Sequence, residues 1–392
     1  MRGVATLLAT TDLKEKHAMK NSIAKTLVFT SALLLVPTTL LFAQPTEDRD
    51  VVPFLPDAPL TVSTVPDSGD QNPYGVAFVP LGFAGGGTIA AGDILVSNFN
   101  NKANQQGTGT SIVDVPANGG APTVFFQGTA PLGLTTALAV LKEGLVVVGN
   151  LPTSDGTCAT AQAGSLLVID RNGNLLATLS ESDINGPWDM TVFEEGAGRV
   201  VFFVANALSG TVIRLDTQVI PGGLTILNHT QIASGYMHRC DPAALVVGPT
   251  GLVYDPGSDS LFVASTEDNA VFVVPHAANT ASDEGMGQLI YKDDAHLHGP
   301  LGMVQAPNGD LLVANSDVIN SDPNQPSEIV EFTRQGEFVK QVSVDPAQGG
   351  SFGLNIQTIG HNTTRFAYVD DVTGTLTIWT LPANGGRRHA SF

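Results

Sequence analysis

From about residue 57 onward, the chain alternates short apolar segments with turn-forming residues. In Gly299–Asp317, for example, the apolar runs Leu301–Val304 and Leu311–Ala314 are separated by a Pro-Asn-Gly-Asp turn and followed by Asn-Ser-Asp. Apolar runs of about four to eight residues bounded by Gly, Pro, Asn and Asp are typical of β-strands. The segment therefore predicts two antiparallel strands joined by a tight turn.

The same order of elements occurs six times along the chain. Each copy has a strand that follows a turn, a second turn, and a second strand that ends in Asn, Asp or Thr. A third strand follows in every copy, and a fourth in the first five. Four strands per copy indicate a propeller blade, so the repeat predicts an all-β fold, a six-bladed β-propeller with four-stranded blades. The copies start roughly 50 to 60 residues apart, at Pro73, Pro131, Pro187, Pro249, Pro300 and Ser351.

The sixth copy has only three predicted strands before the pattern ends. A ring left open would expose unpaired sheet edges, which natural proteins avoid. One further strand, Leu60–Val65, precedes the first copy. We therefore expect this N-terminal strand to close the ring by pairing with Gly374–Leu381.

The beginning of the chain has the layout of a secretory signal peptide. Two lysines precede the uncharged run Thr26–Phe42, which ends at the small residue Ala43. The run contains Pro37 and is followed by acidic residues, which argues against a transmembrane segment in the mature chain and for export to the periplasm, the cell surface or the extracellular space. An uncleaved anchor is the alternative. The predicted organisation is an N-terminal extension and signal peptide over 1–43, a linker over 44–56 and a single propeller domain over 57–392.

The composition agrees with a β-rich fold and restricts the partners. Hydrophobic residues make up 43% of the chain and charged residues 14%, and the formal net charge is −19 at pH 7. A surface this acidic repels nucleic acid. We expect a monomer that binds no nucleic acid and whose partner is an unknown small molecule, carbohydrate or protein.

The two cysteines, Cys158 and Cys240, form either one disulfide or two separate thiols. Cys158 lies between the second and third predicted strands of the second copy, and Cys240 lies between the third and fourth copies. If strands alternate in direction, both connections lie on the same face of the propeller. We expect a disulfide, which requires a Cα separation of about 4.4 to 6.8 Å.

The second strands share a polar ending. In the predicted topology these ends surround one mouth of the central channel, above an inner wall that includes Tyr74, Trp188 and Phe352. A polar ring over an apolar wall suits a small ligand, a carbohydrate or Ca²⁺. The alternative is that these residues cap strand ends and form Asx turns. The predicted ring consists of Asn98, Asn150, Asn206, Asp268, Asn315, Asp317, Asp370 and Asp371.

The repeat resembles the NHL repeat of six-bladed propellers. The resemblance rests on the pattern Pro-x-Gly-Val-Ala-x-x-Pro followed by Asp-x-Leu-x-Val-Ala-Asn, which is clearest in Pro73–Asn98 and Pro300–Asn315, and it covers about Asp57–Leu381. Relatives of this kind include the senescence marker protein and gluconolactonase family, in which acidic or amide residues hold a divalent metal at the mouth. Lyase relatives with NHL repeats use histidines there. The resemblance implies a fold more than a function, because such folds carry unrelated activities.

The metal-binding positions of the gluconolactonase relatives are mostly apolar in this chain. Only Asn185, where those relatives have glutamate, keeps a metal-binding residue type, so that metal site is predicted to be absent. A separate candidate metal set contains Asn206, Asn315, Asp370, His238 and His298, with Ca²⁺ as the candidate ion and no cofactor firmly assigned. The residues at or equivalent to the position between proline and glycine are Tyr74, Leu132, Trp188, Thr250, Leu301 and Phe352.

The chain has no His-Glu-x-x-His motif, and no catalytic residue is assigned. The function that we predict is an exported NHL-type propeller that acts as a binding or scaffold module through the mouth face. The alternative is a metal-dependent hydrolase or lyase, similar to a lactonase, with a divalent metal at the mouth. The sequence leaves open whether the protein is an enzyme and favours the binding or scaffold module.

Overall fold

The computed structural model describes residues 50–360 and 363–382. The predicted signal peptide lies outside the described residues. Apart from two short 3-10 helices, Val52–Phe54 and Cys158–Thr160, the regular elements of the described residues are β-strands. In this part of the chain no helix is long and apolar enough to cross a membrane.

Six four-stranded antiparallel sheets form the blades of a propeller, as the repeat predicts. The first strand of the described residues is β1, Leu60–Ser63. Blade 1 contains β2 (Gln71–Phe78), β3 (Ile94–Asn100), β4 (Ser111–Val115) and β5 (Thr123–Gln127). Blade 2 contains β6 (Leu134–Leu141), β7 (Leu145–Asn150), β8 (Ser165–Asp170) and β9 (Leu175–Leu179). Blade 3 contains β10 (Pro187–Gly196), β11 (Arg199–Asn206), β12 (Thr211–Ile220) and β13 (Gly223–Ser234).

The second half of the ring has the same plan. A two-stranded hairpin, β14 (Arg239–Asp241) and β15 (Leu245–Val247), lies between blades 3 and 4. Blade 4 contains β16 (Pro249–Asp255), β17 (Ser260–Ser265), β18 (Ala270–Pro275) and β19 (Gln288–Tyr291). Blade 5 contains β20 (Pro300–Gln305), β21 (Leu311–Asn315), β22 (Glu328–Phe332) and β23 (Phe338–Ser343). Blade 6 contains β24 (Ser351–Ile359), β25 (Thr363–Asp370), β26 (Thr375–Pro382) and, as its outer strand, β1.

The N-terminal strand closes the ring. β1 runs antiparallel to β26, with Leu60 opposite Ile378 and Ser63 opposite Thr375. The backbone N–H and the hydroxyl of Thr64 both donate to the carbonyl of Gly374, at 2.9 and 3.0 Å. The predicted closure is therefore confirmed, and the last blade is built from both ends of the described chain.

The inner three strands of each blade are apolar because they pack against the neighbouring blades. Every residue of β7 and of β21 is buried, whereas the outer strand β9 leaves Leu175 half exposed. Separate clusters of buried side chains lie between successive blades, such as the one that joins Phe202 and Val204 of blade 3 to Val147 and Val168 of blade 2. Burial at about 25 cal/mol per Å² of apolar surface makes these contacts the main stabilising term.

The glycines that follow the first residues of the inner strands are needed because neighbouring backbones touch at the axis. A Cβ added at Gly302 would lie 2.4 Å from the carbonyl oxygen of Phe352 in the next blade. A Cβ added at Gly353 would lie 2.0 Å from the carbonyl oxygen of Tyr74. Any side chain at these positions would push the blades apart, which explains the Pro-x-Gly pattern that starts the repeat.

A half-buried carboxyl group, that of Asp189, lies in the channel away from the mouth. A cavity of about 200 Å³ is lined by the inner strands, including Thr136, Asp189 and Asn355. The carboxylate of Asp189 accepts the backbone N–H of Met190 at 2.8 Å. Burial raises the pKa of Asp189 to about 8, so this side chain is protonated at neutral pH.

Part of the segment predicted as a linker is packed against the propeller. Val51 and Val52 are 2% and 5% exposed and join a cluster with side chains of blades 5 and 6. Their backbone N–H groups donate to the carboxylate of Glu331 at 2.7 to 3.0 Å. The ordered contacts of the propeller therefore begin before residue 57.

The disulfide joins the loop of blade 2 to the hairpin between blades 3 and 4. Cys158 and Cys240 are bonded, with a Cα separation of 5.6 Å, which confirms the predicted pairing. Cys240 is the middle residue of β14, a strand that the repeat pattern did not predict. The bond thus links two connections that are 82 residues apart in sequence.

Replacing both cysteines by serine (Cys158→Ser with Cys240→Ser) should lower the free energy of unfolding by about 2 to 4 kcal/mol, because the unfolded chain regains the freedom of a long loop. Urea unfolding followed by circular dichroism measures the change. Reduced wild-type protein is the matched control and should unfold like the double variant. Equal midpoints for the oxidised wild type and the double variant would show that the bond does not stabilise the fold.

The protonated Asp189 predicts a dependence of stability on pH. The folded state keeps a proton on Asp189 up to about pH 8, whereas the unfolded chain releases it near its ordinary pKa of about 3.9. The free energy of unfolding should therefore fall as pH rises between these values, by up to about 1.4 kcal/mol per pH unit for this group.

Asp189→Asn should remove this contribution and keep the contact with Met190. Urea unfolding at pH 5 and pH 8 should show that the variant gains stability relative to wild type as pH rises. Asp67→Asn, at an exposed position, controls for the change in net charge. The same pH dependence in wild type and Asp189→Asn would contradict the assignment.

Candidate functional site

A cavity of about 320 Å³ lies at the mouth of the channel, at the ends of the second strands. Its apolar wall comes from the inner strands of blades 1, 3, 5 and 6. Each strand contributes the residue directly after the proline or serine at which the repeat starts. Its polar wall comes from the residues just after the second strands of blades 5 and 6. The main lining residues are Tyr74, Trp188, Leu301, Phe352, Asp317 and Asp371.

The apolar wall is a contiguous set of aromatic rings. The ring of Tyr74 is stacked on those of Phe352 and Phe99, with centroids 4.1 and 4.6 Å apart. The ring of Trp188 lies 5.8 Å from that of Tyr74. The indole Nε1–H of Trp188 is buried and has no acceptor among the described residues. These rings come together because the inner strands converge at the axis, so residues far apart in sequence meet there.

The hairpin between blades 3 and 4 covers one side of this wall. Leu245 and Val246, 2% and 4% exposed, belong to the same buried cluster as Tyr74 and Trp188. The side-chain amide of Gln106 donates to the carbonyl of Ala243 in the hairpin turn at 2.5 Å. The hairpin is thus held from blade 1 by this bond and from blade 2 by the disulfide.

Asp371 brings a carboxyl group into the cavity. Its Oδ2 accepts a long hydrogen bond from the amide of Asn72, at 3.5 Å, while its Oδ1 is buried without a partner. Burial, together with the charges of Asp370 and Asp345, raises the pKa of Asp371 well above its ordinary value. The ionised form is therefore costly unless a cation or a further donor reaches it.

Asp317 provides the second carboxylate. Its Oδ2 accepts the backbone N–H groups of Ser327 and Gly349, both at 2.9 Å. Its Oδ1, like that of Asp371, is buried without a partner. The side chains that line the cavity include no lysine, arginine or histidine. Asp317 and Asp371 therefore line the cavity without a positively charged side chain among the other lining residues.

Four asparagines of the predicted ring lie at one equivalent position and are buried within the blades. Each is paired in the sheet register with the start of its inner strand, as Asn206 is with Pro187. None of the four is among the residues that line the mouth cavity. The four are Asn98, Asn150, Asn206 and Asn315, with exposures of 0 to 5%.

The amide of each asparagine joins two neighbouring segments. In blade 3 the Oδ1 of Asn206 accepts the N–H of Asn185 at 2.9 Å, and its Nδ2 donates to the carbonyl of Asp183 at 2.9 Å and to the hydroxyl of Thr211 at 3.2 Å. The same side chain therefore ties the connection that enters the blade to the start of the third strand. This is the capping role that the sequence left as the alternative.

Asn150 and Asn315 repeat the arrangement. The Oδ1 of Asn150 accepts the N–H of Gly133 at 2.8 Å, and the Oδ1 of Asn315 accepts the N–H of His298 at 3.1 Å. In blade 1, Asn98 donates to the carbonyl of Thr64 at 3.0 Å, and so binds the segment that follows the closing strand.

Blades 4 and 6 reach a similar result with other residues. The register places Ser265 at the asparagine position of blade 4, and its hydroxyl donates to Asp268 at 2.6 Å. Asp268 in turn accepts the N–H of Met237 from the preceding connection at 3.0 Å. In blade 6, Asp370 accepts the hydroxyl of Tyr368 at 2.9 Å and the N–H of Thr373 at 3.0 Å.

The register also corrects one axial position. Leu134, and not Pro131, pairs with Asn150, so the axial residue of blade 2 is Thr135 instead of Leu132. Thr135 donates to the carbonyl of Pro187 in the next blade at 2.7 Å. Thr250 of blade 4 likewise donates to the carbonyl of Pro300 at 3.1 Å. The axis is therefore lined by four apolar and two hydroxyl side chains.

The histidines of the candidate metal set are not gathered at the mouth. His238 is exposed, and its Nδ1 lies 3.2 Å from the carbonyl of Tyr236. His298 is 3% exposed, and its Nε2 lies 3.6 Å from the buried Oε1 of Glu328. His238, His298 and Asp370 are not among the described residues that form a group with metal-ligand spacing. The metal role of this set stays a prediction.

The described residues contain one acidic group with metal-ligand spacing, which consists of Asp50, Asp310 and Glu331 with ligand atoms within 4.8 Å of one another. Asp310 precedes the second strand of blade 5, so the group lies at the face opposite the mouth. Both oxygens of Glu331 already accept backbone N–H groups from Val51 and Val52. These contacts account for the group as an anchor for the N-terminal segment.

Gly349–Gly353 matches Gly-x-Ser-x-Gly, the pattern of hydrolase nucleophile elbows, but not their structure. Ser351 is the first residue of β24 and is fully buried, and the segment continues as a strand. An elbow requires a sharp turn from strand to helix that exposes the serine. The serine is therefore not a nucleophile in this setting.

Comparison with known proteins supports the fold alone. No protein-family model matches the chain, and no curated protein matches its sequence. A candidate gluconolactonase of known structure is similar over 84% of this chain and 94% of its own length, with a TM-score of 0.51 and 13% identity.

Two further solved structures are similar at lower scores. One is regucalcin from Agrobacterium tumefaciens, which is described as a calcium-binding protein. It is similar over 82% of this chain and 93% of its own length, with a TM-score of 0.48 and 16% identity. The other is a luciferin-regenerating enzyme. It is similar over 82% of this chain and 95% of its own length, with a TM-score of 0.48 and 10% identity. The six four-stranded sheets make the chain a six-bladed β-propeller, and the candidate gluconolactonase is similar to it in fold.

Proposed function

We propose that the protein is an exported binding module that holds a small molecule in the mouth cavity. The observation that carries this proposal is the cavity itself, a concave site of about 320 Å³ with an aromatic wall and two carboxylates that lack partners for one oxygen each. Ligand sites are typically mostly apolar and contain a few convergent polar groups. Export is supported by the signal-like N-terminus and by a disulfide, which is favoured in oxidising compartments.

A metal-dependent hydrolase, similar to a lactonase, is the second candidate. The fold of the candidate gluconolactonase supports it. The axial positions weigh against it, because Tyr74, Trp188, Leu301 and Phe352 occupy the mouth with side chains that cannot ligate a divalent metal through carboxylate or imidazole. Asp317 and Asp371 would be the ligands in this case, with water completing the coordination. Hydrolysis of δ-gluconolactone that depends on added Ca²⁺ would favour this candidate over the binding module.

The cavity should bind a small molecule in a way that Trp188 reports. The chain has two tryptophans, and Trp379→Phe leaves Trp188 as the single emitter while keeping an aromatic ring beside Phe366. Titration with a panel of neutral, anionic and cationic small molecules should give a saturable change in emission for at least one class, because Trp188 lines the cavity.

Ala244→Phe, in the Trp379→Phe background, should weaken that binding at least tenfold, because Ala244 lines the cavity and a phenyl ring would fill it. Ala281→Phe, at an exposed position in blade 4, is the matched control and should bind like its parent. A full panel without saturable binding, or equal binding by Ala244→Phe, would contradict the proposed function.

A further inference from the structure

We propose that the ligand of the mouth cavity is an organic ammonium ion, a primary or substituted amine with an apolar body. This inference rests on the proposed function and names the chemical class of the ligand. Two independent features of the cavity, its unpaired carboxylates and its aromatic wall, require the same kind of molecule.

The carboxylates require a positive charge. The Oδ1 atoms of Asp317 and Asp371 are buried without hydrogen-bond partners. The neighbouring Asp345 and Asp370 add further negative charge at Asp371. Ionising a carboxyl group in such a place is costly, and a cation with N–H donors beside it offsets that cost. An anionic ligand would be repelled, and a neutral one would do nothing to favour the ionised form of Asp371.

The aromatic wall suits the rest of such a ligand. Tyr74 is stacked against both Phe352 and Phe99, with centroids 4.1 and 4.6 Å away, so Phe352 and Trp188 are the lining rings with which a ligand could stack. Aromatic faces attract organic cations, and the attraction is stronger when the site is desolvated. The same rings bury an alkyl or aryl body. One molecule with an ammonium head and an apolar body therefore satisfies both walls.

A bare divalent metal fits this cavity less well. Calcium takes about six to eight oxygen ligands, commonly from several carboxylates. The described residues place no group of three acidic or histidine side chains with metal-ligand spacing at the mouth. One oxygen of Asp317 is already committed to two backbone N–H groups. The aromatic wall provides no carboxylate or imidazole ligand for a metal ion and excludes the water that would complete its coordination.

Three probes that share a phenylethyl body and differ in charge test the inference. Phenethylamine is the cation, 2-phenylethanol the neutral analogue and phenylacetate the anion. In Trp379→Phe protein at pH 8, Trp188 emission should show phenethylamine binding at least tenfold more tightly than either analogue. Asp371→Asn should remove most of that preference, because it neutralises the carboxylate without changing the shape of the cavity.

Two further measurements guard against misfolding. Asp371→Asn should raise the thermal midpoint of the ligand-free protein at pH 8, because a carboxyl group with a raised pKa lowers stability at this pH and asparagine does not titrate. A loss of amine binding in a more stable protein then cannot come from unfolding. Asp67→Asn makes the same change in net charge at an exposed position and should bind phenethylamine like its parent.

Equal affinity for the amine and the alcohol, or undiminished preference in Asp371→Asn, would overturn the ammonium assignment. So would binding of Ca²⁺ alone with no response to phenethylamine. The proposed function would be contradicted by a different result. In that case no neutral, anionic or cationic member of the panel would show binding that Ala244→Phe blocks. A neutral sugar that binds and is blocked by Ala244→Phe would keep the binding module and refute the amine.

Discussion

The closed ring is the constraint on which the rest of the structure depends. Each blade buries its apolar faces only against two neighbours, so a gap in the circle would expose two faces and two sheet edges at once. The pairing of Leu60–Ser63 with Thr375–Pro382 removes that gap. Closure also sets the axis: with six blades in place, the inner strands converge until their backbones touch, as at Gly302 and Gly353. The aromatic wall at the mouth is a consequence of this convergence.

The repeat pattern was sufficient for the blades and for the closing strand, because each depends on local alternation of apolar runs and turns. It was insufficient for the hairpin Arg239–Val247, which occurs once and lies over the mouth through Leu245 and Val246. The repeat pattern did not predict the packing of Val51 and Val52 for a similar reason. Their hydrogen-bond partner is one glutamate, Glu331, which is distant in sequence. Features that appear once in a repeat protein leave no period to detect.

The candidate site was predictable only in part. The sequence pointed to Tyr74, Trp188, Phe352, Asp317 and Asp371, and all five line the mouth cavity. It also grouped them with Asn98, Asn150, Asn206 and Asn315, which are buried and hold neighbouring segments of the blades together. In the sequence, a polar residue at a strand end looks the same whether it lines the cavity or is buried within a blade. What distinguishes them is whether the next connection comes close enough to take up its hydrogen bonds, and that is decided by the packing of distant segments.

The outer strand of the last blade comes from the start of the folded chain, and this has a consequence for the order in which the protein matures. Residues 60–63 have no sheet partner until residues 375–382 have been made, so blades 1 to 5 can form during synthesis while β1 stays unpaired. Bringing these ends together is a contact between the most distant parts of the domain, the kind that forms slowly. Until then blade 6 has an unpaired edge, which makes the nearly complete chain the form most exposed to aggregation. A chain shortened at its C-terminal end would keep that exposure permanently.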